Sequence, residues 1–313
     1  MNNFTHKLYI LTENDDKYLQ LFKELSLPNI EITTNKAHAT ILLASPPKAA
    51  QQIDEFDSLE WFQSVYAGVD AIVPKLLDKD VYLTNVKGIF GQQIAEYVLG
   101  YLLQHYRDFN QYAADQTQHA WQPQPYKSIQ DQVMVILGTG SIGKHLAKVA
   151  KAFGIRTIGV NRSGIPAMNS PFDDTYHVQE LDNALIRAHI VVNTLPSTPE
   201  TYHLLNQDTL NKCHDVLLFN VGRGSVLCEK SLLNALEHDS LEHSAVQHAF
   251  LDVFEQEPLS SEHPFWEHPQ VTLTPHVSAL SQPEAVIEIF AENYQRLTDG
   301  FHLLHEVDLE KGY

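Results

Sequence analysis

Along the chain, short apolar runs alternate with stretches in which apolar residues recur every three or four positions. That is the pattern of strands alternating with helices. Residues 7–12 read as a strand, and Tyr18, Leu19, Phe22 and Leu25 as one face of a helix. Residues 30–33, 39–44, 60–65 and 81–85 read as further strands, with Tyr66-Ala67-Gly68-Val69-Asp70 as a turn. From 91 to about 116, Ile94, Val98, Tyr101, Leu102, Phe109 and Tyr112 recur at helical spacing, which predicts one long helix suited to bridging two domains. Trp121-Gln122-Pro123-Gln124-Pro125 breaks it. Strands are then expected at 133–137, 155–160, 189–194, 216–221, 246–254 and 271–274, with helices over 181–188, 231–236 and 283–297.

Such alternation predicts an α/β protein with parallel sheets. A Rossmann-type doubly wound domain is expected over residues 96–283. A smaller, flavodoxin-like α/β substrate domain is expected from 1–95 together with 284–313.

One stretch organises the second half. The buried-strand pattern at 133–137 ends in Gly138-Thr139-Gly140-Ser141-Ile142-Gly143. Ile142, Leu146, Val149 and Phe153 then follow at helical spacing, and a second strand comes after Gly154. In a strand–turn–helix setting each glycine has a task. Gly138 permits the turn, Gly140 lets a pyrophosphate approach the backbone, and Gly143 lets the helix pack close to the sheet. The first N–H groups of the helix, including those of Ser141 and Ile142, face the phosphates. This context makes a dinucleotide site the expected reading. At the end of the second strand, where a carboxylate normally grips the ribose of NAD, stands Asn161-Arg162-Ser163. Asn161 removes the repulsion of a 2′-phosphate, Arg162 can pair with it and Ser163 can donate to it. NADP(H) is therefore favoured, with NAD(H) also possible.

Composition narrows the partners. The 313 residues carry a formal charge of −18, which argues against nucleic acid or an anionic membrane. The same charge would repel an anionic substrate, so its site needs a local cation. Two cysteines, Cys213 and Cys228, show no CxxC or zinc-type spacing, which fits a reducing cytosol. No signal peptide and no membrane-spanning run are expected. Among the 17 histidines, His238, His243 and His248 fall five apart. On a helix that spacing separates neighbours by about 140°. No metal is expected.

Strand ends in an open parallel sheet face the ligand crevice. Gly222-Arg223-Gly224 follows one strand, Glu255-Gln256-Glu257-Pro258 another and Pro275-His276 a third. Singly, each could be an ordinary loop residue. Together they suit hydride exchange with a 2-oxo acid. Arg223 would clamp the substrate carboxylate, with its flanking glycines letting the backbone come close to a ligand. His276 would donate a proton to the carbonyl oxygen, and Glu257 would keep the imidazole protonated and oriented.

At these residues the chain resembles the D-isomer-specific 2-hydroxyacid dehydrogenases. The resemblance runs through Tyr66 to Asp70, Asn85 with Gly88, Ala95-Glu96-Tyr97 and the glycine turn. It continues through Asn193-Thr194-Leu195-Pro196 with Thr198 and Thr201, through Asn220 to Ser225, Leu251-Asp252-Val253-Phe254 and Thr274-Pro275-His276. It implies Arg223, Glu257 and His276 as catalytic residues, and Ala67, Gly68 and Val69 as backbone donors to the substrate carboxylate. It also implies Asp252 near the nicotinamide, Leu195, Pro196 and Thr201 on the adenosine side, and Val221 among the cofactor-binding residues. The glyoxylate/hydroxypyruvate reductase branch looks closest, from Trp61-Phe62-Gln63, Gly88-Ile89-Phe90-Gly91 and Pro264-Phe265-Trp266. Phe250 departs from the pattern, standing where the family usually has a small residue. No regulatory domain is expected after Leu297.

The expected activity is NAD(P)H-dependent reduction of a small 2-oxo acid to the D-hydroxy acid, by a cytoplasmic homodimer. The alternative is a non-catalytic, dinucleotide-sensing binding protein of the corepressor kind.

Overall fold

The computed structural model of the chain describes residues 5–236 and 244–312. His238 and His243 lie outside the described residues. The chain divides into two compact units: Met1–Ile89 with Ser281–Tyr313, and Phe90–Leu280.

The first unit alternates β1 (His6–Leu11), α1 (Asp15–Leu25), β2 (Ile30–Ile32), β3 (Ile41–Ala44), α2 (Pro46–Ala50), β4 (Trp61–Ser64), α3 (Val73–Leu76) and β5 (Tyr82–Thr84). The strands form one five-stranded sheet in the order β2-β1-β3-β4-β5, with every pairing parallel. This is the flavodoxin-like order. β3 is buried along its whole length, as its unbroken Ile-Leu-Leu-Ala requires of a central parallel strand. Leu42, Ala44, Phe62 and Leu83 face one core. Trp61 faces the other way and stacks on Phe290, ring centroids 5.0 Å apart.

The second unit begins with α4 (Gly91–Tyr106) and α5 (Phe109–Thr117), followed by β6 (Val133–Leu137), α6 (Ser141–Ala152), β7 (Arg156–Asn161), β8 (Asp174–His177) and α7 (Leu181–Leu185). It continues with β9 (Ile190–Asn193), α8 (Gln207–Leu210), β10 (Val216–Asn220), α9 (Glu229–Leu236), β11 (Val246–Leu251) and β12 (Val271–Leu273). The seven strands lie in the order β12-β11-β10-β9-β6-β7-β8, all parallel. This is the doubly wound Rossmann order with one strand added at an edge. Residues of β6 alternate between two cores. Met134 and Ile136 pack with α4 and α6, whereas Val135 and Leu137 pack with α7 and α9. Finally α10 (Pro283–Thr298) returns the chain to the first unit, where it packs on α1 and contributes Phe290 to the stack on Trp61.

Three features differ from the sequence reading. The long helix expected over 91–116 is two helices, because Asp108 adopts a left-handed conformation at φ 51° between them. Aspartate tolerates that conformation better than most residues, and no glycine or proline marks the break. β8 carries no strong apolar alternation and was not anticipated. In α6 the buried face is Gly143, Leu146, Ala147 and Ala150, while Phe153 caps the helix and is exposed.

The turn from β6 into α6 sits beside β9, where the strand order reverses. An added Cβ at Gly143 would lie 2.0 Å from the carbonyl oxygen of Gly138, whereas one at Gly140 would meet nothing within 4 Å. Gly143→Ala is therefore expected to lose about 1–3 kcal/mol of stability by overpacking. Gly140→Ala should change stability by only a few tenths of a kcal/mol. Thermal unfolding of the two variants checks this, and equal midpoints would show that the turn yields freely.

Candidate active site

The loops that leave the strands of the second unit are cross-braced through their backbones. After β9, the Asn193 side-chain amide donates to Asn220 Oδ1 at 2.8 Å, and its own Oδ1 accepts from Leu195 N at 3.0 Å. Asn220 in turn donates to the carbonyl oxygen of Arg223 at 3.3 Å. Val221 is buried, and its N–H donates to the Asn193 carbonyl. The glycines beside Arg223 have a packing purpose that the sequence reading did not include. A Cβ at Gly222 would sit 2.7 Å from the Leu195 carbonyl oxygen, and one at Gly224 would sit 1.8 Å from the Phe254 carbonyl oxygen. They allow close approach to neighbouring loops of the protein.

Glu257 and His276 meet directly. His276 Nδ1 and Glu257 Oε2 are 2.8 Å apart, and Glu257 Oε1 accepts from the Phe254 N–H at 3.0 Å. This leaves His276 Nε2 to face a reacting atom. The histidine is in left-handed backbone at φ 53°, a conformation disfavoured for a residue with a Cβ. Asp252 holds it there. The Asp252 carbonyl accepts the His276 N–H at 2.9 Å, and the fully buried carboxylate accepts from Val277 N, Ser278 N and Thr274 Oγ1. The single proton of Thr274 goes to that carboxylate, so Tyr97 is the donor in its 2.7 Å contact with Thr274. Tyr97 and Thr274 therefore belong to the site's framework, through the order of the loops and not through any local sequence signal.

Electrostatics reinforce the dyad. The hydrogen bond that His276 donates to Glu257 raises the pKa of His276 above the ordinary value. Burial opposes this, the Glu257 and Asp252 charges assist it, and Arg223 opposes it. Burial would raise the pKa of Glu257, but the His276 hydrogen bond, the Phe254 N–H and the charges of His276 and Arg223 bring it below the usual carboxylate range. Arg223 is thus close enough for its charge to be felt by both partners, and its Nη1 donates to the Gly222 carbonyl.

The glycine turn fits a dinucleotide. Gly138 takes φ 101°, and the space over Gly140 is open at the N-terminus of α6, beside Ser141 and Ile142. Leu195 adjoins it, for a Cβ at Gly138 would lie 3.3 Å from Leu195 Cδ2. The Thr201 hydroxyl donates to the Pro196 carbonyl at 2.7 Å, so it shapes that loop from within.

At the end of β7, Asn161 builds its own loop. Its Oδ1 accepts from Ser163 N, Ser163 Oγ and Gly164 N, and its Nδ2 donates to Thr139 Oγ1 and to the Ile165 carbonyl. The Ser163 hydroxyl donates to Asn161 and accepts from Ile165 N. Arg162 is the remaining cation of the trio, and its charge helps to lower the pKa of Glu200.

In the first unit, Ala67, Gly68 and Val69 form the turn after β4. Asn85 Nδ2 donates to the Ala67 carbonyl at 2.8 Å, fixing the turn from below. Among the described residues no hydrogen bond uses the N–H groups of these three.

Phe250 is a core residue. It stacks on Phe219 with centroids 4.5 Å apart and packs under Tyr101 of α4. No helix among the described residues is long and apolar enough to cross a membrane.

Comparison with known proteins agrees with this arrangement. Residues 99–278 match the family model of the D-isomer specific 2-hydroxyacid dehydrogenase NAD-binding domain. A D-isomer specific 2-hydroxyacid dehydrogenase family protein from Aeromonas salmonicida subsp. salmonicida is 39% identical over 97% of this chain and 99% of its own, with a TM-score of 0.90. An NADPH-dependent glyoxylate/hydroxypyruvate reductase from Sinorhizobium meliloti, solved with NADP and sulfate, is 27% identical over 99% of this chain and 100% of its own, at 0.87. A D-isomer specific 2-hydroxyacid dehydrogenase from Xanthobacter autotrophicus, solved with NADPH and MES, is 26% identical over 99% and 100%, at 0.86. The likeness favours the catalytic reading over that of a non-catalytic dinucleotide sensor. The chain belongs to the D-isomer-specific 2-hydroxyacid dehydrogenase family and is an NAD(P)-dependent oxidoreductase.

Proposed function

We propose that this chain reduces a small 2-oxo acid of the glyoxylate or hydroxypyruvate kind to the D-2-hydroxy acid, with NADPH favoured over NADH. The observation that carries the reading is the His276–Glu257 dyad beside Arg223, with Nε2 of the imidazole left to the substrate. The dinucleotide supplies the hydride. Arg223 holds the substrate carboxylate, and the backbone N–H groups of Ala67, Gly68 and Val69 are assigned the same task. His276 gives its Nε2 proton to the carbonyl oxygen as the carbon is reduced. Gly138, Gly140, Ser141, Ile142 and Gly143 take the pyrophosphate. Leu195, Pro196, Thr201 and Val221 shape the rest of the dinucleotide site. Asp252 acts from behind, through the loop it holds.

The pH dependence follows from the dyad. Reduction needs protonated His276, whose pKa is raised, so kcat/KM should be flat at low pH. It should fall only as pH passes a value above that of an ordinary histidine. Bound substrate offsets the Arg223 charge that opposes protonation, so kcat should fall at a higher pH than kcat/KM. Glu257→Gln removes the largest raising influence and should move both falls to lower pH. His276→Ala should reduce kcat by roughly a hundredfold or more. Pre-steady-state and steady-state profiles decide the matter, and an unmoved profile in Glu257→Gln would remove Glu257 from the dyad.

The cofactor preference is read chiefly from the charge of Arg162, which a 2′-phosphate can pair with, while Asn161 and Ser163 also bond within their own loop. One charge-assisted contact contributes about 1.5–3 kcal/mol, and about 1.4 kcal/mol is tenfold. NADPH should exceed NADH by at least about tenfold in kcat/KM. Arg162→Ala should remove most of that ratio by weakening NADPH alone. Asn161→Asp is a less clean test, since it would set a carboxylate oxygen against the Ile165 carbonyl. A preference for NADH in the wild type would overturn this assignment.

Two coarser features complete the proposal. Phe109, Tyr112, Trp121 and Tyr126 are exposed along the segment that follows α4, and such aromatic exposure suits a surface shared with a second copy of the chain. The protein is expected to be a homodimer at micromolar concentration, and a monomeric mass by light scattering would refute this. Both cysteines are free thiols, which fits a cytoplasmic enzyme.

A further inference from the structure

Away from the reacting dyad, three side chains of metal-binding type converge in the second unit. One ligand atom from each of His203, Cys228 and Glu255 lies within 4.8 Å of the other two. We propose that they form a binding site for a zinc-class divalent cation, with a fourth position left to water.

The three come from separate loops, and their main chains hold them together. The His203 N–H donates to the Ser225 carbonyl at 2.8 Å, and the Cys228 N–H to the Leu205 carbonyl at 2.9 Å. The Cys228 carbonyl accepts from Leu232 N, which sets the cysteine at the start of α9. Glu255 and Glu229 clamp each other, with each backbone N–H donating to the other's carboxylate at 2.9 and 3.0 Å. The second Glu229 oxygen stands 3.2 Å from His263 Nε2. The ligands are thus brought near one another by contacts that do not require a metal.

The telling atom is His203 Nε2. It is buried and has no hydrogen-bond partner, yet it lies 3.2 Å from Glu255 Oε1. The contact has the length of a hydrogen bond without its alignment, which leaves the nitrogen without a hydrogen-bond partner at close range to a carboxylate oxygen. In a tetrahedral zinc site with bonds of about 2.0–2.3 Å, neighbouring ligand atoms are roughly 3.3–3.6 Å apart. The His203–Glu255 edge is about that size, and the Cys228 sulfur lies within 4.8 Å of both atoms. A donor set of thiolate, imidazole and carboxylate selects zinc or its analogues over magnesium or calcium, which prefer all-oxygen sites. Binding displaces the thiol proton of Cys228 to solvent. The two carboxylates nearby, Glu255 and Glu229, offset the cation's charge.

Cobalt(II) provides the test, because a thiolate ligand gives it a charge-transfer absorption that imidazole and carboxylate ligands do not. The full-length protein is titrated with cobalt(II) under a non-thiol reductant. One equivalent should bind with that absorption, and zinc should then displace it. Cys213 is buried, and burial raises its pKa to about 12, so the signal would report Cys228. Cys228→Ser should abolish the absorption, and His203→Gln should raise the dissociation constant at least tenfold. Absence of the absorption in the wild type overturns the proposal whatever the variants do. Its persistence in Cys228→Ser, or unchanged affinity in His203→Gln, overturns it as well.

Discussion

The geometry around His276 depends on one buried carboxylate. Asp252 sits just past the end of β11, with its own N–H bonded to the Asn220 carbonyl on β10. From there it collects the Thr274 hydroxyl, the Val277 N–H and the Ser278 N–H. Its carbonyl takes the His276 N–H, and this turns His276 into left-handed backbone. A buried carboxylate without such donors would cost several kcal/mol. Here the donors are the loop itself, so satisfying the carboxylate and shaping the loop are one event. Relaxing the histidine to ordinary backbone would forfeit those bonds. That is how a locally disfavoured conformation persists in the native state.

The bracing extends to Arg223 and Glu257, the other two residues proposed as catalytic. Gly224 lets the Arg223 loop pack against the Phe254 backbone, and the Phe254 N–H fixes one oxygen of Glu257. The other oxygen orients His276. Arginine, glutamate and histidine are therefore held by loops that touch one another, and each loop starts at a strand of a single parallel sheet. Positions set in this way vary little, which the chemistry needs. A hydrogen-bonded proton donor misplaced by an ångström loses much of its rate advantage.

Much of this was legible in the sequence, because it follows from period and punctuation. Strand β6 matches its apolar run from Val133 to Leu137, and the glycine turn behaves as strand–turn–helix physics requires. Residues 223, 257 and 276 each follow a strand, so their placement at one end of the sheet could be inferred from the fold class. What escaped was set by contacts distant in sequence. Asp108 breaks a helix with no glycine or proline to announce it. The role of Gly222 and Gly224 depends on Leu195 and Phe254, which no local pattern pairs with them. The amide of Asn161 serves Thr139 and Ile165, so a residue read as a specificity element is first a loop-builder. The His203, Cys228 and Glu255 cluster was invisible for the same reason, since spacing rules find metal sites only when ligands share one segment.

A protein with a formal charge of −18 must still bind an anionic dinucleotide and an anionic acid. The second unit meets this locally instead of globally. Two of its carboxylates are engaged within the protein: Asp252 by its loop's N–H groups and Glu257 by His276 and Phe254. The groups of opposite character in the unit are Arg223, protonated His276 and the N-terminus of α6. All of these attract negative charge, the last through backbone dipoles that need no lysine. Acidic residues elsewhere on the surface are screened over a Debye length of about 8 Å at physiological ionic strength. They therefore act weakly on a bound anion, while the groups in contact with it act strongly. Bulk charge sets which macromolecules the protein avoids, and a few oriented groups set what it binds.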